Sequence, residues 1–224
     1  MSVMVRQEPI FQTLLKSPKL FFYQSEINDV LSAERKQREA FYDWMDEDTR
    51  AEFINREIVM HSPAKDRHTA TSLNLSTLLK LYVTKHQRGI VRAETTLVSL
   101  TRNDYLPDIC FFGQSKASTI TSEQMNYPAP DLVIEILSPS TEKTDRGLKL
   151  QDYAVHGVSE YWLVDPSQHF VEQYVLQGET SQLHAKIHGG SYLQSHIVEG
   201  FRIDVHALFD DEANLSAVQS ILVE

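Results

Sequence analysis

Residues 131–137 read DLVIEIL and residues 160–165 read EYWLVD. Both are short apolar runs, suited to strands buried on their two faces. Between them SPST (138–141) reads as a turn that can cap a helix over about 142–156, which Gly157 ends. Parallel neighbours need a long crossover, and this helix is long enough to supply one. The stretch therefore predicts a parallel strand pair with a helix packed against it.

The upstream residues extend this unit. Leu75, Leu78, Leu79 and Tyr82 recur at helical spacing inside a helix expected over about 67–87, with Asp66 to cap its start and Gly89 to end it. IVRAETTLVSL (90–100) reads as one strand, Asn103-Asp104 as a turn, and LPDICFF (106–112) as the next strand. Residues 113–130 read as a connecting loop. With 131–137 these strands form a meander. The predicted order is helix, three strands, helix, strand: an α/β (α+β) domain with a mixed sheet flanked by helices.

Outside that order the signals are weaker. An amphipathic helix is expected over 27–45, through Ile27, Val30, Leu31, Phe41, Trp44 and Met45. AEFINREIVM (51–60) reads as two short strands around Asn55-Arg56. A two-residue hairpin turn wants φ > 0 at both positions, where Arg56 is a costly choice, so a wider turn is expected. After Pro166 come short strands at 170–176, 182–188 and 192–198, then a short helix near 204–210.

With 224 residues the chain is long enough for one domain with a sizeable core. No apolar run approaches the ~20 residues that span a bilayer, so no membrane association is expected. The start of the chain lacks the layout of a signal peptide, and one cysteine, Cys110, forms no internal disulfide. A cytoplasmic protein is the expectation. The formal net charge of −10 argues against a surface built for tight nonspecific DNA binding. Any nucleic-acid affinity must come from a local basic patch, a bound cation or a second subunit.

Two acids stand inside apolar strands: Asp108 in LPDICFF and Glu135 in DLVIEIL. Buried carboxylates need a partner or a metal. On neighbouring strands these two can point at one spot, and hard oxygen ligands suit Mg²⁺ (or Mn²⁺). Lys149 on the following helix is placed at the edge of the packed face, able to lean its ammonium toward the strand ends. Two carboxylates, a divalent metal and a lysine suit phosphodiester hydrolysis without a covalent intermediate.

LPDICFF, PDLVIEILSPST and DRGLKLQDYAVHGVSEYWLVDP together resemble the Uma-type family of "putative restriction endonucleases", within the PD-(D/E)XK nuclease superfamily. The resemblance covers roughly residues 50–210 and implies a restriction-endonuclease-like core of the order read above. It makes Pro107-Asp108 the PD element and Glu135 the acid of the third strand. The superfamily lysine normally follows two residues later, where this chain has Leu137; the resemblance implies that Lys149 takes its place. The expected division is an N-terminal helical arm (1–50) packing on the core, a restriction-endonuclease-like domain (51–210) and a C-terminal tail (211–224). The expected activity is metal-dependent endonucleolytic hydrolysis of DNA, with Asp108, Glu135 and Lys149 catalytic and a homodimer serving double-strand cleavage.

Further candidates each have a plainer reading. Glu52 and Glu57 flank the hairpin turn and offer an extra ligand or a lysine partner, though hairpin charges are commonly solvated. Glu94, read as mid-strand, is a similar case. His68 suits a phosphate contact or a cap, and Tyr153, one turn beyond Lys149, suits core packing. Pro130-Asp131 also matches the PD pattern, but Asp131 lies too far along the strand from Glu135 to share an ion with it. His184 and His188 are spaced H-x-x-x-H in a segment that reads as a strand, with no third zinc ligand. Two rival functions use the same fold: a catalytically silent nucleic-acid-binding module, and an interaction protein whose acidic surface binds a protein partner.

Overall fold

The computed structural model describes residues 8–223. Residues 1–7 of the expected arm, and Glu224, lie outside the described residues. Helices α1 (Pro9–Leu15) and α2 (Leu20–Trp44) come first, followed by strands β1 (Ala51–Ile54) and β2 (Glu57–Met60) and helix α3 (Asp66–Lys85). Next are β3 (Gly89–Ala93), β4 (Leu97–Ser99), β5 (Asp104–Tyr105), β6 (Ile109–Gly113), the short α4 (Gln114–Ala117), β7 (Asn126–Tyr127) and β8 (Leu132–Ile136). A continuous helical segment follows: α5 (Glu142–Thr144), a π-helical turn (Asp145–Lys149) and α6 (Leu150–Val155). It leads to β9 (Glu160–Asp165), β10 (Phe170–Gln177), β11 (Thr180–His188), β12 (Tyr192–Gln194), β13 (Arg202–Asp204), a 3₁₀ turn (Val205–Leu208) and α7 (Asp211–Val223).

The larger sheet has the order β11-β10-β9-β8-β6-β3. β3, β6 and β8 are antiparallel neighbours, and β8 and β9 are parallel across the helical crossover. The core is therefore α3, three strands in a meander, helix, strand, as the sequence predicts. Every residue of β8 and β9 is buried, which is what a strand covered on both faces requires. Alternation sorts their side chains. Leu132, Ile134 and Ile136 join Leu75, Leu78 and Trp162 in the cluster under α3. Val133 and Leu137 face the other way, with Tyr153 and Leu163. Glu135 has the parity of this second face and so points toward the crossover helix.

A second sheet, β2-β1-β5-β4-β7, stands beside this face. Its formation divides the single strand expected over 90–100 into β3 and β4, which belong to different sheets. Glu94 (φ 43°) and Thr95 (φ 55°) make the break. Asp104, expected in a turn, is in β5 and fully buried. The β1–β2 hairpin also differs from expectation: Asn55 (φ 49°) and Arg56 (φ 75°) form a tight two-residue turn. Arg56 accepts the left-handed backbone, and its Nε donates to Gln37 Oε1 at 2.8 Å.

Helix α2 begins earlier than expected and is anchored only toward its end, where Glu34 and Phe41 are buried. Arg38 holds it to the second sheet, giving two hydrogen bonds to Asp104 (2.6 and 2.7 Å) and one to Leu100 O (2.7 Å). Asp66 is the first residue of α3 and caps nothing; the N-cap position is Lys65. Gly89 opens β3, after α3 has ended at His86. Residues 211–223, set apart in sequence as a tail, form α7 along α3, with Lys85 Nζ donating to Ile221 O at 2.8 Å. Among the described residues no helix is long and apolar enough to cross a membrane.

Candidate active site

The β6–β8 register pairs Ile109 with Ile134, so Asp108, one residue before β6, falls opposite Glu135. Side chains opposite one another on an antiparallel pair are near neighbours. Asp108 Oδ2 accepts a hydrogen bond from Ile136 N at 2.7 Å, which fixes its carboxylate beside the end of β8. Asp108 is not the buried strand acid expected: it lies in the approach to β6, with its side chain 21% exposed. That suits a group that must meet something from solvent. Glu135 is buried, as expected.

The crossover helix brings Lys149 to this spot, and deeper than the edge position anticipated. Lys149 is 3% exposed. Its Nζ lies 2.9 Å from Glu52 Oε1, 3.1 Å from Glu135 Oε1 and 3.5 Å from Asp145 Oδ1. The ammonium thus sits among carboxylates from β1, β8 and the π-helical turn. Glu52 is held in turn by Leu106 N, which donates to Oε1 at 2.8 Å, and by His61 Nε2, 3.4 Å from Oε2.

The charges divide these acids. Burial pushes the Glu52 carboxyl up, but Lys149 and His61 outweigh it and bring it down to about 2. Burial also dominates at Glu135, and there it wins: Lys149 opposes it, while Asp145, Asp108 and Glu52 add to it, so the carboxyl is held well above the usual range. Asp145 is raised for the same reason, against Lys149 and Thr141. For Lys149, burial would strip the proton, but Glu135, Glu52 and Asp145 hold the ammonium well above the ordinary lysine value.

These groups line one cleft of about 570 Å³. Asp108, Glu135, Asp145, Glu52 and Lys149 line it, and so do Arg50 just before β1, His61 just after β2, and Lys65, Arg67 and His68 around the start of α3. The acidic chain therefore carries basic side chains where its cleft meets solvent. His68 Nε2 lies 3.4 Å from Asp108 Oδ2. Burial would lower the imidazole, but Asp108 raises it above its ordinary value. Glu94 also lines the cleft, in the link between β3 and β4 rather than in mid-strand, 3.5 Å from Arg50.

Two candidates stay outside. Glu57 is exposed on β2, away from the cleft lining. Tyr153 is a core residue between Tyr105 and Tyr161, with ring centroids 5.3 and 5.8 Å away. Asp131 lies just before β8, accepting from Gly113 N at 2.7 Å and pairing with Lys116 at 2.7 Å. Ser138 and Ser140 give no side-chain cap to the crossover helix; Ser138 Oγ shares hydrogen bonds of 3.0 Å with Ser140 and Thr141. His184 and His188 both lie in β11.

The model of the family described as "Putative restriction endonuclease", Uma2, matches residues 38–206. The chain belongs to the Uma2 family. A relative from Synechocystis sp., described as "Uncharacterized protein sll1609", is 29% identical over 142 residues, spanning 62% of this chain and 80% of its own. The crystal structure of "a putative nuclease belonging to DUF820" from Anabaena variabilis superposes with a TM-score of 0.66 at 20% identity, covering 80% of this chain and 96% of that one. That likeness concerns the fold, and the restriction-endonuclease-like core expected from the sequence is the one this Uma2 protein has.

Sequence reasoning overlooked Asp145 and His61. Asp145 had a signal: it stands four residues before Lys149 on one helix, the spacing of a side-chain pair. His61 had none, since its place depends on how the second sheet meets the first.

Proposed function

We propose that this Uma2 protein is a divalent-metal-dependent endonuclease that hydrolyses DNA phosphodiester bonds, with Asp108 and Glu135 as metal ligands and Lys149 as the catalytic cation. The observation that carries the reading is the Lys149 ammonium, buried and charged beside Glu135 at the floor of an open cleft that Asp108 also lines. A lysine so enclosed has no need of three acids for folding alone, because buried ion pairs are weak contributors to stability. Membership of the family points the same way.

The donor set fits a divalent cation. Asp108 and Glu135 offer hard carboxylate oxygens on facing positions. Burial, and then crowding by other acids, disfavours charge on Glu135, a cost that a cation there would offset. Among the described residues no group of three or more His, Cys, Asp or Glu is arranged to hold a metal ion by itself. Mg²⁺ commonly takes one or two carboxylates and completes its shell with water and substrate phosphate. When bound, the metal would polarise the phosphoryl group and lower the pKa of an attacking water.

The chain's own groups divide the rest of the work. Lys149 donates to the phosphoryl oxygen on which charge builds. Glu52 keeps the ammonium charged and seated. His68 orients Asp108, and Arg50, Lys65 and Arg67 meet the phosphate backbone of the DNA at the cleft rim. A second copy of the chain would supply the second cut of a duplex.

The test is cleavage of plasmid and linear DNA by wild type, Asp108→Ala and Glu135→Ala, with Mg²⁺, Mn²⁺ or EDTA, beside calorimetry of metal binding. Metal-dependent nicking that both variants lose is the expected result. A wild type that neither binds metal nor cuts would overturn the reading in favour of a silent binding module.

A further inference from the structure

Asp145 is a buried acid without a settled task. It is 1% exposed, and its Oδ1 makes no hydrogen bond. The nearest cation is Lys149 Nζ at 3.5 Å, where Glu52 and Glu135 approach to 2.9 and 3.1 Å. A buried polar atom that makes no hydrogen bond costs stability and calls for an explanation. Asp145 also opens the π-helical turn that ends at Lys149. Such turns hold one more residue than an α-helical turn and are frequent at functional sites.

The explanation follows from the double duty of Glu135. In this arrangement Glu135 Oε1 accepts from Lys149. In the reading above the same carboxylate must also hold the cation. A carboxylate drawn to a divalent ion gives up part of its hold on a neighbouring ammonium, and the ion repels that ammonium. Lys149 then keeps Glu52, 2.9 Å away on one side, and needs another acceptor in place of Glu135 to stay seated beside the phosphate. Glu52 cannot fill both places, since its carboxylate is shared with Leu106 N and His61. Asp145 has the free acceptor, within about half an ångström of hydrogen-bond distance.

Resting on the proposed metal-dependent reaction, we propose that Asp145 is a positioning residue that takes the Lys149 ammonium when Glu135 turns to the cation. Asp145 touches neither substrate nor metal; it acts through Lys149.

The test is a double-mutant cycle of Asp145→Asn and Lys149→Met, read in two ways. In thermal unfolding with and without Mg²⁺, the coupling between the two positions is expected to be larger with Mg²⁺. In cleavage, Asp145→Asn is expected to lower kcat about tenfold in the wild-type background and hardly at all beside Lys149→Met, with KM kept. Calorimetry should give Asp145→Asn the Mg²⁺ affinity of wild type. Coupling of equal size with and without Mg²⁺ would reduce Asp145 to a structural role, and a weaker Mg²⁺ affinity would make it a ligand; either result overturns the inference. Should the Lys149→Met proteins not fold, the kcat-against-KM split in Asp145→Asn decides the matter. Wild type that binds no Mg²⁺ sinks the inference together with the nuclease reading, whereas wild type that binds and cuts normally beside an uncoupled Asp145→Asn sinks the inference alone.

Discussion

Replacing Lys149 by Met is the sharpest test of the charge balance in the cleft floor. Met keeps the length of the side chain and its apolar stem, so packing changes little. What is lost is the one buried ammonium facing Glu52, Glu135 and Asp145. Removing one partner of a buried ion pair costs about 3–5 kcal/mol, because the other charge stays buried and uncompensated. For a domain of this size that is a fall in Tm of roughly 6–20 °C. The loss must depend on pH. Glu135 and Asp145 already have folded-state pKa values above ordinary, and Lys149 is what restrains them. Without it they rise further. The folded state then binds protons more tightly than the unfolded state, so stability is recovered as pH falls through the raised values. Thermal unfolding of wild type and Lys149→Met at pH 8 and pH 5 is the assay. The deficit should be largest at pH 8 and smaller at pH 5. A deficit below about 1 kcal/mol at pH 8, the scale of a solvated pair, would refute the reasoning, and so would a deficit independent of pH.

The acid limb of stability should report Glu52. A carboxyl at about 2 in place of 4.5 contributes about 3 kcal/mol, present above pH 4.5 and lost as pH falls from there to about 2. Glu52→Gln should therefore destabilise at pH 7 and converge on wild type near pH 2, as followed by urea unfolding across that window. Arg38→Ala removes both hydrogen bonds to the fully buried Asp104 and should cost about 3–5 kcal/mol in the same assay, with α2 more open to proteolysis. Arg56→Gly relieves a left-handed backbone at φ 75° and should raise stability by about 1 kcal/mol; a fall would mean that the bond to Gln37 matters more than the strain.

The part of the fold legible in the sequence is the part whose residues are buried on both sides. β8 and β9 read as apolar runs because every position in them is covered. Glu135 stood out for the same reason, as a charge where none is tolerated without cause. The second sheet was harder to see. Its strands are two to four residues long, and β2 is wholly exposed, so neither alternation nor apolar content marks them. The break between β3 and β4 rests on two consecutive left-handed residues, neither of them Gly, and so carries no signature in the sequence. From the sequence Glu52 reads as an extra ligand, a lysine partner or, more plainly, a solvated hairpin charge, because only the docking of the second sheet reveals which side of β1 is covered.

That docking also accounts for how the proposed catalytic lysine, Lys149, can stand on a helix. Leu137, the position two residues past Glu135, is buried in the cluster with Tyr153 and Leu163. A lysine there would need another path for its stem, and the apolar packing would lose a member. From Lys149 the ammonium arrives at 3.1 Å from Glu135 regardless, entering from the crossover helix. The cost of that route is burial: a lysine rooted in the helix passes through the core and emerges among the carboxylates with 3% of its surface exposed. Glu135 alone would be a poor counter-charge, since burial and neighbouring acids hold its carboxyl well above the usual range. A second carboxylate must keep the ammonium charged, and Glu52, brought down to about 2, is the one able to do so. If Lys149 is the catalytic lysine as proposed, it and the acid on β1 are two halves of one solution. If they are, exchanging Leu137 for Lys in a Lys149→Met background should restore some cleavage only where Glu135 remains, and should no longer depend on Glu52.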